Sequence, residues 1–175
     1  MPNFHIEGRN NRSEILRSFM WEVDLIGGSN QVGIEDINLR VKNISLPSRS
    51  IEPIDTWFYG FKQSIPGRTT FSNQINLSLE ENEDQDILKS IYDWLEKIQG
   101  VDPLDLFATL SSVKRYTKNM IIKLLKFNGQ STKYFIELKN VYPLSINELN
   151  LDFNSNDAIR FDVSFNYDYW RLIKN

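Results

Sequence analysis

Over residues 159–170 apolar and polar side chains alternate without a break. Ile159, Phe161, Val163, Phe165, Tyr167 and Tyr169 fall on one side, and Arg160, Asp162, Ser164, Asn166 and Asp168 on the other. Period-two patterning predicts a strand with one buried face and one wet face. At about 3.3 Å per residue the run spans roughly 40 Å, about twice the modal strand. Such a length suits a protein that builds a wall better than it suits a compact enzyme.

The same period recurs upstream. Phe19, Trp21, Val23 and Leu25 against Glu22 and Asp24 predict a first strand, ended by the loop signal Gly27-Gly28-Ser29-Asn30. Ile37, Leu39 and Val41, alternating with Asn38, Arg40 and Lys42, predict a second strand running toward Leu46-Pro47. Pro47 has no ladder N–H, so the strand should end or become an edge there. Residues 47–67, with three prolines, read as an irregular region carrying the aromatic cluster Trp57, Phe58, Tyr59 and Phe61. That cluster is either a core-covering loop or an exposed subunit contact, since large aromatics in a loop are interface material. Alternation resumes over residues 71–80 through Ile75, Leu77 and Leu79.

One amphipathic helix is predicted. Asn82 is its cap and Gln85 the capping-box partner, while Glu83, Asp84 and Asp86 suit the positive N-terminal end. Ile87, Leu88, Ile91, Trp94, Leu95 and Ile98 form its apolar stripe, and Gly100 is a natural stop. Residues 101–115 are ambiguous, with room for a short helix after Pro103. Residues 120–127 and 133–141 then flank Asn128-Gly129, a strong hairpin-turn signal that Gln130 and Ser131 can lengthen. Pro143 is expected to close the second arm of that hairpin. The pattern shows neither an internal repeat nor a low-complexity linker. It predicts one domain over residues 1–175, with polar residues 1–17 as a flexible or contact arm. The predicted fold is mainly β (α+β), an antiparallel β-sandwich or barrel with one flanking α-helix.

Composition narrows the function classes. A formal charge of −3 argues against a surface built to grip phosphates. The absence of cysteine removes disulfides, thiolate nucleophiles and cysteine-type zinc sites, and fits assembly in a reducing cytoplasm. The N-terminus MPNFHIEGRNNR lacks a signal-peptide apolar region, and nothing approaches 18 consecutive apolar residues. A soluble chain without membrane insertion is expected.

No motif supports catalysis. The acidic run Glu80, Glu81, Glu83, Asp84 and Asp86 could hold a cation or supply paired carboxylates, but a helix start explains it more simply. Residues 152–157 superficially match half of a calcium loop, yet Asp157 stands where glycine is required and Val163 where a bidentate glutamate is. An Asx-type turn is the better reading. His5 is the only histidine and sits in the polar arm. Phosphate-loop, dinucleotide, nucleophile-elbow and metalloprotease motifs are missing. No catalytic residue, cofactor site or metal site is expected.

The block Val141-Tyr142-Pro143-Leu144-Ser145-Ile146-Asn147-Glu148-Leu149, continuing through Asp152-Phe153 to Asp157, resembles the tail tube protein family of T-even-type contractile bacteriophages. So do the alternating run after it and its ending in Asp168-Tyr169-Trp170. Glu22-Val23, Leu46-Pro47, Gly67-Arg68-Thr69 and Asp93-Trp94 match in the same order, so the resemblance covers roughly residues 18–172. It implies a structural virion subunit that forms homohexameric rings. These stack into a hollow tube inside a tail sheath, bounded by baseplate and tail terminator proteins. Viral DNA would pass through the lumen without specific binding, and assembly would occur in the host cytoplasm. Candidate lumen-facing residues are Glu22, Asp24, Asp162 and Asp168; the candidate inter-subunit contact is Trp57, Phe58, Tyr59 and Phe61. The tube of a phage-derived injection or type VI secretion system, a baseplate tube-initiator ring, and a monomeric ligand-binding β-barrel stay open as alternatives.

Overall fold

The computed structural model describes residues 16–26, 40–98, 116–149, 151–154 and 156–174. His5, the Gly27–Asn30 loop, Ile37, Leu39 and residues 101–115 lie outside them. The described residues form β1 (Trp21–Ile26), β2 (Val41–Ile44), β3 (Arg49–Phe58), β4 (Phe61–Phe71) and β5 (Gln74–Glu80). There follow α1 (Asp86–Ile98), β6 (Lys118–Leu125), β7 (Ser131–Ile146), β8 (Arg160–Asn166) and β9 (Tyr169–Lys174).

The main sheet runs β1-β6-β7-β8-β5-β2, with β9 also on β7, and every pairing is antiparallel. The first half of β7 lies between β6 and β9; its second half pairs with β8. Two layers therefore share one strand. The first layer (β1, β6, β7, β9) turns Val23, Leu25, Met120, Ile122 and Leu138 into the core. The second (β7, β8, β5, β2) supplies Ile75, Leu77, Leu79, Phe161, Val163 and Phe165. Alternation along β1, β5 and β8 is the sequence cause of this burial, as expected for half-buried strands. Helix α1 adds Ile87, Ile91 and Trp94, with the Trp94 ring 5.9 Å from that of Phe165.

The run over residues 159–170 is not one straight strand. It bends at Tyr167-Asp168 between β8 and β9, although its register with β7 continues from Tyr142↔Asn166 to Lys139↔Tyr169. At the bend the Tyr167 N–H donates to the Asn73 carbonyl (3.0 Å), and the Asp168 N–H to that of Lys139 (3.0 Å). Opposite, Asn140 takes a φ of 55° and its amide donates to the Asp168 carboxylate. Against β6 the register of β7 slips here, between Lys118 and Met120, and a bulge of this kind lets a strand pass from one layer to the next. Inward parity holds through the buried Tyr167 and fails at Tyr169, which is exposed. Nor does Pro143 close a hairpin arm. β7 continues through it to Ile146, with the register slipping between Pro143 and Ser145, and proline is tolerated at such a bulged edge.

Residues 47–67 are not an irregular region either. β3 and β4 pair as a long two-stranded arm whose turn, Tyr59-Gly60, has φ of 48° and 80°. Two consecutive positive φ values match the right-handed twist of a hairpin. Residues 48–66 are all exposed, so this is no core-covering loop. Pro53 and Pro66 oppose each other beside a register slip. At Gly67 a Cβ would lie 2.6 Å from the Glu52 carbonyl oxygen and 2.8 Å from Ile54 Cγ1, so only glycine fits.

The other turns follow their sequence more closely. Gly129 takes a φ of 76° in the β6–β7 turn, and Lys126 N–H donates to the Gln130 carbonyl at 2.7 Å, so the loop is lengthened as expected. At the helix start Asn82 accepts from the Asp86 N–H (3.0 Å). Gln85 has a φ of 58° and precedes the helix, which removes the expected capping box. Glu81 does that work: its carboxylate accepts from the N–H groups of Asn82 (2.9 Å), Ile87 (3.2 Å) and Leu88 (2.8 Å). An anion on orphan helix donors is stabilising on both hydrogen-bond and dipole grounds. Glu81→Ala is expected to cost about 1–2 kcal/mol and lower the melting temperature by about 2–8 °C. Thermal unfolding followed by circular dichroism measures it; an unchanged midpoint would remove Glu81 from the cap.

Candidate assembly surfaces

The outward face of the second layer is built from the polar positions of β5 and β8. Register places Asn76 opposite Ser164, Ser78 opposite Asp162 and Glu80 opposite Arg160. Ser164 Oγ donates to Asn76 Oδ1 (2.8 Å), Ser78 Oγ to the Asp162 carboxylate, and Asn166 Nδ2 to the Tyr142 hydroxyl (2.9 Å). Glu80 meets Lys42 at 3.3 Å and Arg160 at 3.5 Å. Burial works to raise the Glu80 pKa, but the two cations win and hold it below 4.5. The result is a wall of short hydroxyl and amide groups whose cations are already paired. It offers a passing phosphate little to hold.

The first layer has a different exterior. Glu22, Asp24, Lys123, Glu137, Lys139 and Arg171 stand among the half-buried Ile121, Phe135 and Ile173. Lys123 pairs with Asp24, and this bond raises its pKa. Glu137 is buried and bridges Lys139 (2.5 Å) and Arg171 (2.7 Å). Its burial favours the neutral acid, yet hydrogen bonds from both cations keep its pKa below 4.5. Sequence reasoning missed Glu137. The available signal was Glu137 and Lys139 two apart on a strand, but cross-strand Arg171 is visible only in the register.

The four acidic candidates do not share a surface. Glu22 and Asp24 lie on the first-layer exterior, Asp162 on the second-layer exterior, and Asp168 at the bend. Trp57, Phe58, Tyr59 and Phe61 do cluster at the tip of the arm, 71%, 67%, 88% and 79% exposed. The Phe58 and Tyr59 rings meet edge to face at 4.6 Å. The acidic run is divided between ion pairing at Glu80 and helix capping at Glu81. Among the described residues, three or more metal-ligating side chains nowhere converge. The Asp152 carboxylate accepts from the Asn154 N–H (2.9 Å), the expected Asx turn. Among the described residues no helix is long and apolar enough to cross a membrane.

A bent two-layer β-structure with a polar outer wall and an exposed aromatic arm has the layout of a structural subunit. The chain belongs to the phage tail tube protein family, whose model matches residues 9–173. It is 26% identical to the tail tube protein gp19 of Enterobacteria phage T4 over 137 residues, covering 78% of this chain and 82% of that protein. Among solved structures its fold resembles a chain of the sheath–tube complex of an extracellular contractile injection system in the extended state. That match has a TM-score of 0.64 at 18% identity and covers 92% of this chain and 93% of the other. The tube-terminating cap of the anti-feeding prophage gives 0.66 at 17% identity, covering 94% of each chain. The protein is a tail tube subunit, a structural component of a contractile tail.

Because the folded pKa of Glu137 lies below 4.5, its stabilisation is complete above that value and is lost as pH falls through the folded pKa. Glu137→Gln should cost about 1–3 kcal/mol at pH 7 and flatten the loss of stability below pH 4.5. Chemical denaturation at pH 7 and pH 3.5 checks both parts. Parallel losses in the two proteins on acidification would contradict the ion-pair account.

Proposed function

We propose that six copies close into a ring and that rings stack into a hollow tube, with the second-layer exterior lining the lumen through which viral DNA passes. The observation that carries this reading is the polar wall of Asn76, Ser78, Asp162, Ser164 and Asn166, satisfied within itself. Asp162 belongs to that wall, whereas Glu22, Asp24 and Asp168 lie off it. Six subunits at −3 each carry about −18, which repels phosphate and favours sliding.

Ring closure also answers a structural need. Among the described residues β2 pairs only with β5, and the second half of β7 only with β8. Both strands leave an edge of backbone donors and acceptors that a closed ring would pair or cover. The half-buried apolar residues of the first-layer exterior call for a protein cover, either an adjacent subunit or the sheath. On this reading the work is mechanical, not catalytic. The partners are further copies, the sheath, baseplate and terminator proteins. Assembly takes place in the host cytoplasm, and residues 1–175 act as one tail tube domain. The exposed β3–β4 arm reaches the neighbouring ring. The fold likeness to contractile injection systems supports a second reading, a protein-delivering tube; particle contents separate the two, nucleic acid for one and protein cargo for the other.

Negative-stain electron microscopy of the purified protein is expected to show rings or tubes with a central hole; compact monomers at high concentration would overturn the reading. For the lumen, Asn76→Lys with Ser164→Lys should leave rings intact and slow DNA release from virions severalfold. Release at the wild-type rate would take this face out of the lumen.

A further inference from the structure

The arm has two chemically distinct sides. Pairing of β3 with β4 sets Phe58 opposite Phe61, Thr56 opposite Gln63 and Ile54 opposite Ile65, so these six share one side. The other side carries Trp57 opposite Lys62 and Asp55 opposite Ser64. There Lys62 Nζ lies 2.7 Å from the Asp55 carboxylate, and Ser64 Oγ donates to it at 2.5 Å. These two contacts hold the Asp55 carboxyl below its usual range. Ile54, Phe58, Phe61 and Ile65 are all exposed, two apolar pairs on either side of Thr56 and Gln63 that together present roughly 400 Å², the size that marks a contact surface. A two-stranded ribbon standing alone is marginal in water. The strip therefore needs a cover.

A matching surface lies at the other end of the same layer. The arm leaves the second layer where Gln74 opposes Asn166, and its base is tied there by Ser72 N–H to the Ser48 carbonyl. Beyond the opposite end, marked by Glu80 opposite Arg160, the Asx turn at Asp152 holds Phe153 fully exposed beside the exposed Leu151. The acceptor is acidic through Glu148 and Asp152, while Arg49 and Arg68 of the arm make no ion pair with a described residue.

We propose that the Ile54–Phe58–Phe61–Ile65 side of the arm packs on Leu151 and Phe153 of a second copy in the next ring. This rests on the tube reading and names the contact that stacks the rings. Donor and acceptor sit at opposite ends of one layer, so a pair of subunits cannot satisfy both at once. A heterologous contact that does not close propagates as an open stack. Trp57, on the polar side, is outside the contact.

The chain has no cysteine, which makes a cross-linking test clean. Tubes of a Phe61→Cys, Phe153→Cys double variant are expected to give a covalent ladder of dimers, trimers and higher species on mild oxidation. Each single variant should give at most dimers. In parallel, Ile54→Ser with Ile65→Ser should keep rings by native mass spectrometry and cut tube yield at least tenfold, whereas Trp57→Ser should leave tubes at wild-type yield. Intact tubes without a ladder, or wild-type tube yield from the Ile54/Ile65 variant, would overturn the contact while leaving the tube reading in place. Loss of rings in the Ile54/Ile65 variant would assign the arm to ring closure and overturn it as well. A wild-type protein that forms no ring overturns the tube reading, and this contact with it.

Discussion

One strand, β7, has to serve two layers, and the remaining architecture follows from how it does so. Its 16 residues pair with β6 and β9 in the first half and with β8 in the second. A straight strand could not hold both layers around one core. β7 is therefore bent twice, at Asn140 with its positive φ and at the slip between Pro143 and Ser145. Its partner bends with it, because β8 and β9 keep continuous register across Tyr167-Asp168. Tyr167, wholly buried on the inside of the bend, ties it to the start of β5 through its hydroxyl, 2.7 Å from Ser72 Oγ. Since Ser72 and Ser48 also form the base of the arm, the bend fixes where the arm leaves the body.

How much of this the sequence discloses depends on which force shapes each element. Ile75, Leu77, Leu79, Phe161, Val163 and Phe165 each bury a side chain, so burial imposes the alternation that predicts β5 and β8. The Asn128-Gly129 turn and the α1 stripe are legible for equally local reasons. The bend at Tyr167 is hidden because Tyr169 continues the pattern by residue type while facing water. The arm is hidden differently. Ile54, Phe58, Phe61 and Ile65 form a regular face only after β3 is paired with β4, and three prolines argue against any strand there. Asp162, Glu22 and Asp24 are correctly read as outward, but facing outward does not say from which layer. Glu81 is missed as a cap because it precedes the helix by five residues and reaches back over a turn opened by Gln85.

The two layers divide the demands placed on a tube subunit. The second-layer exterior answers its own polar groups side chain by side chain, so its surface has little left to bind with. The first-layer exterior, the free strand edges and the arm are each left incomplete in a different way. Among the described residues, half-buried Ile121, Phe135 and Ile173 lack cover, the edges of β2 and of the second half of β7 lack strand partners, and the arm lacks a surface for its apolar side. In the proposed tube, a chain complete on one face and unfinished on the others has a built-in direction of assembly.

The kinds of incompleteness are not interchangeable. Backbone edges are directional: a slip of one residue moves every side chain to the wrong face, so an edge contact fixes register closely. Apolar contacts carry no such direction and tolerate small displacements at little cost. In the proposed assembly, edge pairing therefore belongs within the ring, where six-fold closure allows no error. The apolar arm belongs between rings, where a long tube has to bend without losing a contact. The arm agrees with this division: Pro53 and Pro66 remove ladder donors and Gly67 is required beside Glu52, so the arm is ill suited to edge pairing and is left with its apolar side.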